Sequence, residues 1–123
     1  MIRKTKGQVE AEISEAIIKF EKEYMGRGPV ETKTCIIKDM ILVRLVGVLT
    51  PAEGKLAKSE KGASLIKKLR VQLIEGARSL LENTIFDITG LKLRSLHTDI
   101  STKTGERVII FILQENLEET FVK

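Results

Sequence analysis

Ser95, His97 and Asp99 have the composition of a nucleophile, a base and an orienting acid. On a strand such alternate residues share a face. Their backbones then stand about 6.5–7 Å apart, whereas a Ser-His-Asp relay needs a direct hydrogen bond at each step. The spacing therefore reads as the polar face of an edge strand, with His97 as a possible pH-sensitive contact. Gly26-Arg27-Gly28-Pro29 is a second candidate, because amides of a glycine turn and one guanidinium suit a carboxylate or phosphate. Its plainer reading is a helix end followed by a turn. If Arg27, Arg44, His97 and Asp99 met in one pocket, they would make a small-anion sensor or an enzyme.

The run Lys55, Lys58, Lys61, Lys67, Lys68 and Arg70 suits an acidic partner, a membrane surface or RNA, or is a solvated helix face. Interrupting glutamates and few aromatics argue against nucleic acid, as does a net charge of +4 spread along the chain. Ser101-Thr102-Lys103-Thr104-Gly105 lacks the glycine-lysine-Ser/Thr order of a phosphate loop and reads as a hairpin loop. The sequence holds no paired catalytic carboxylates, metal-ligand spacing or dinucleotide glycine motif, so no metal and no cofactor are expected. The single cysteine, Cys35, lies in a strand-like run where a buried thiol is expected.

These residues must be positioned by one domain of 123 residues, with a core over about 7–114 and an acidic tail over 115–123. No apolar run reaches the ~20 residues of a membrane span, and no secretory leader pattern is present, so a cytoplasmic location is expected. Val9, Ile13, Ile17, Phe20 and Tyr24 predict a helix over 6–25 that stops at Gly26, with Glu21 on the polar side. Strands over 31–38 and 40–48 follow. Thr50, Pro51 and Glu53 form a capping box that opens a short helix. Gly62 is read as a bend, after which Leu65, Leu69, Leu73, Ala77, Ile85 and Ile88 stripe one long helix to Gly90. Gly76 within it suggests a second backbone passing close by. Strands over 91–100 and 107–114 complete the chain.

The expected fold is α+β: a four-stranded antiparallel sheet with two main helices, in two similar α-β-β halves. Strands 40–48 and 107–114 are apolar on both faces, which predicts central positions with cover on both sides. Two helices cover one face, so a homodimer through the other is expected.

Gly26-Arg27-Gly28-Pro29, Leu49-Thr50-Pro51-Ala52-Glu53, Thr89-Gly90 and Asp99 to Arg107 together resemble the MpsC-domain family over roughly residues 7–114. The family is a small bacterial one whose name refers to a sodium-translocating, membrane-potential-generating system. The resemblance implies a soluble accessory role with a membrane-associated protein partner, and it carries over no catalytic residue. The leading expectation is a non-enzymatic, partner-binding domain. Gly26, Arg27, Gly28, Arg44, Lys67, Lys68, His97 and Asp99 are the candidate contact residues.

Overall fold

A computed structural model describes residues 4–121; the ends of the N-terminal segment and of the acidic tail lie outside the described residues. Helix α1 spans Lys6–Met25, opened by a capping box between Thr5 and Gln8 and closed by Gly26 at φ +86°. Val9, Ile13, Ile17 and Phe20 form its buried stripe. The stripe does not continue to Tyr24, which is 45% exposed and stacks on Phe20; Glu21 and Met25 turn inward instead.

Strands β1 (Glu31–Ile37) and β2 (Met40–Val46) form a hairpin through Lys38-Asp39, with Lys38 at φ +55°. The capping box of Thr50 and Glu53 opens α2, Pro51–Leu56. The long helix expected next is two helices, α3 (Glu60–Gly76) and α4 (Arg78–Thr89), because Ala77 leaves helical geometry at φ −103°, ψ 7°. Gly76 marks this break and has no close neighbour. The crowding belongs to Gly62, in the first turn of α3, where a Cβ would stand 1.9 Å from the Leu56 carbonyl oxygen. Gly62 therefore lets α2 and α3 fold against each other. The face of α3 is also rotated by one residue from expectation: Ile66, Arg70 and Ile74 are buried, while Leu65 and Leu69 are each 52% exposed.

Strands β3 (Leu93–Ser101) and β4 (Glu106–Leu113) complete an antiparallel sheet of order β1-β2-β4-β3, with the two apolar strands in the middle as expected. Ile36, Ile41, Val43, Leu45, Ile109, Phe111 and Leu113 point to the helical side and join α1, α3 and α4 in one core. Leu117 also enters that core, and Glu118 accepts from the Lys38 amide and from Lys6, so the start of the tail closes the bottom of the sheet. On the outer edge of β1, Glu10 accepts from the Ile36 amide, which removes a donor from the exposed edge.

Cover on both faces of β2 and β4 is not found within one chain. The alternate residues Met40, Leu42, Val46, Val108, Ile110 and Ile112 are only partly buried. As expected, the main helices share one face: α1 and the α3–α4 pair all pack on the inner side, which leaves the other side open within the chain.

Candidate functional site

The most tightly built polar feature lies between helices and sheet. Glu21 on α1, Arg70 on α3 and Arg107 on β4 are each 2% exposed or less. Each continues an apolar stripe: Glu21 is four residues after Ile17, Arg70 stands between Ile66 and Ile74, and Arg107 alternates with Ile109 and Phe111. Packing of the stripes carries the charges inward. Arg70 holds Glu53 through two hydrogen bonds, Nε to Oε2 at 3.0 Å and Nη2 to Oε1 at 2.7 Å, and donates to the Val48 carbonyl at 2.9 Å. Arg107 donates to Thr98 at 3.1 Å and to Glu21 at 3.4 Å. Glu21 Oε1 lies 3.6 Å from Arg70 Nη1, and neither atom has a hydrogen-bond partner among the described residues.

Burial raises the pKa of Glu21 against the opposing pull of Arg107 and Arg70, and burial lowers that of Arg107. Burial also acts to raise Glu53, but the hydrogen bonds from Arg70 and from the Thr50 amide outweigh it and hold the carboxyl low. Two arginines and two glutamates balance, so the cluster is neutral as a whole. It joins α1, α2, α3, β3 and β4 at one point, with Glu21, Arg70 and Arg107 buried among them, the geometry of an ion cluster that ties elements together. Arg70 accordingly leaves the basic surface run to which its sequence position assigned it.

The open sheet face is organised in rows by the strand register. Ile37, Met40, Ile112 and Ser95 form one row; Cys35, Leu42, Ile110 and His97 the next; Lys33, Arg44, Val108 and Asp99 the third. Cys35 is thus half-buried on this open face rather than sealed in the core. Arg44 pairs with Glu106 at 2.6 Å, and Lys67 of α3 reaches Asp99 at 3.9 Å. Where α3 meets this edge, a cleft of about 380 Å³ is lined by Lys67, Asp99, Ser101, Lys103, Glu106 and Val108.

Among the candidate residues, Arg44, His97 and Asp99 share the open face. Arg27 does not join them: it is exposed in the α1–β1 connection between Gly26 and Gly28 and donates to the Leu49 carbonyl at 3.3 Å. Lys67 and Lys68 are exposed on α3. His97 Nε2 lies 3.1 Å from Ser95 Oγ, so side-chain reach closes the gap that backbone spacing alone had suggested was too wide. Asp99 does not extend the pair. It accepts from the Ile100 amide and faces Lys67.

A second uncovered surface is the outer side of α3. Leu65 and Leu69 stand one turn apart, with Lys61 one turn before Leu65 and Lys68 at the next turn. The sequence does carry this stripe of leucines; only the rotation of the helix turns it outward.

The profile of the family described as the Na+-translocating membrane potential-generating system (MpsC) matches residues 5–115. The chain belongs to the MpsC family. The uncharacterized protein YbcI of Bacillus subtilis is 47% identical over 122 residues, covering 99% of this chain and 98% of YbcI. The uncharacterized protein YrhF of the same organism is 27% identical over 109 residues, covering 88% of this chain and 89% of YrhF. No solved structure matches. The MpsC description refers to a membrane-potential-generating system, and no helix among the described residues is long and apolar enough to cross a membrane.

Proposed function

We propose that this MpsC domain is a non-enzymatic accessory protein that binds a membrane-associated partner of a membrane-potential-generating system. The observation that carries the reading is the outer side of α3, where Leu65 and Leu69, each 52% exposed, are bracketed by lysines. Exposed leucines at one-turn spacing fit an apolar patch, and Lys61, Lys67 and Lys68 select a patch ringed by carboxylates. Membership of a family named for ion translocation, in a chain with no membrane-crossing helix among its described residues, supports action through a partner. A small-anion site has less support, since Arg27 stands apart at Leu49 and Arg44 already has Glu106.

The test is capture from detergent-solubilised membranes with the full chain as bait, followed by mass spectrometry. A membrane protein of an ion-translocating system should be retained by the natural chain and lost by Leu65→Ser/Leu69→Ser and by Lys67→Glu/Lys68→Glu, with melting temperatures unchanged. Retention that survives both variants overturns the reading, as does the absence of any such partner.

A further inference from the structure

Independently of the α3 surface, we propose that the open sheet face docks a second copy of this chain, with a two-fold axis parallel to the strands. The face has an apolar centre, formed by Met40, Leu42, Ile110 and Ile112 on the two middle strands, and among the described residues no helix lies over it. Its charges are distributed asymmetrically between the edges. Lys33 stands on edge strand β1 and Asp99 on edge strand β3, in the same row. Within one chain they are three strand spacings apart, roughly 14 Å, too far to pair.

A two-fold axis in the interface, running along the strands, exchanges β1 with β3 and β2 with β4 and lays each row over itself. Lys33 then faces Asp99 of the second copy, twice by symmetry, and Leu42 faces Ile110. Arg44 falls over Val108, with Glu106 of the second copy two residues away along the strand. The alternative axis, across the strands, reverses the rows about Leu42 and sets Lys33 over Ile37 and Arg44 over Met40. That arrangement gives neither Lys33 nor Asp99, which falls over Ser95, an opposite charge across the interface. Charge complementarity therefore selects the first axis, and the product is an aligned sandwich of two sheets with the helices outside. His97 of one copy then stands over Cys35 of the other, at the border of the apolar centre.

Light scattering and sedimentation of the full chain at micromolar concentration test the proposal. The natural chain should be a dimer. Leu42→Glu should be a monomer that keeps its far-ultraviolet circular dichroism. Lys33→Glu should weaken association about tenfold, and Lys33→Glu/Asp99→Lys should restore it, with Lys67→Ala as the control for the intrachain contact of Asp99. A monomeric natural chain overturns the proposal, as does a dimer that survives Leu42→Glu. A double exchange that associates no better than Lys33→Glu alone overturns the choice of axis. Apart from the Lys67→Ala control, these substitutions leave α3 untouched, so failure here and failure of partner capture are separate outcomes.

Discussion

Arg44 and Arg107 sit at adjacent positions of two paired strands: Arg44 lies opposite Val108, and Arg107 opposite Leu45. Each has a glutamate. Arg44 meets Glu106 at 2.6 Å in the open, and Arg107 meets Glu21 at 3.4 Å in the core. The shorter pair is the weaker contributor. Water screens Arg44 and Glu106 and would solvate either alone, whereas loss of one member of the inner cluster strands its partner without solvent. One step along a strand moves a side chain from one regime to the other, because successive residues face opposite sides of the sheet. Local environment, more than separation, decides what each ion pair contributes.

The largest effect should come from Arg107→Ala, which leaves Glu21 buried with only Arg70 at 3.6 Å and should cost roughly 3–5 kcal/mol by denaturant titration. The double change Glu21→Leu/Arg107→Leu should recover at least half of that loss, since a well-filled apolar pair replaces a desolvated ionic one. If the double variant is no better than Arg107→Ala, the cluster does more than neutralise itself.

Glu53→Gln should cost about 2 kcal/mol at neutral pH, the scale of hydrogen bonds to a charged group. Glu53 has a folded pKa below its ordinary 4.5, so its contribution is present above that value and fades as pH falls through the folded one. Natural and Glu53→Gln chains should therefore converge in melting temperature as pH falls well below 4.5. Glu21 runs the opposite way: its raised folded pKa favours the fold in acid, and that gain disappears as pH rises through the folded value. The smallest effect should be that of Arg44→Ala made in the monomeric Leu42→Glu chain, where the pair with Glu106 stays in water: its melting temperature should match that of Leu42→Glu alone in moderate salt. A large loss there would break the contrast between the two faces.

Much of the fold was legible from local signals. Helix α1 runs from Lys6 to Met25 as its stripe and its stop at Gly26 predict, and the structure adds the cap at Thr5. The central places of β2 and β4 followed from two strands apolar on both faces beside two polar ones, while the full order β1-β2-β4-β3 came with the structure. Residue type points Glu21 and Arg70 toward solvent, whereas phase places them, like Arg107, on apolar stripes, and burial follows phase. Gly62 and Gly76 were exchanged for a related reason. Sequence marks both as weak points in a helix, but only the return of α2 onto α3 crowds one of them. Of the candidate site, the residue types were visible, whereas the separation of Arg27 from Arg44, His97 and Asp99 depended on where the α1–β1 connection lies.

What the sequence determined by itself is what depends on neighbours along the chain: caps, turns, strand alternation and hence which residues share a row of the sheet. Only the tertiary structure decided which face of each element is covered. Burial is settled by elements far apart in sequence, and their packing placed three charged side chains in the core, turned two leucines outward and left one apolar sheet face open.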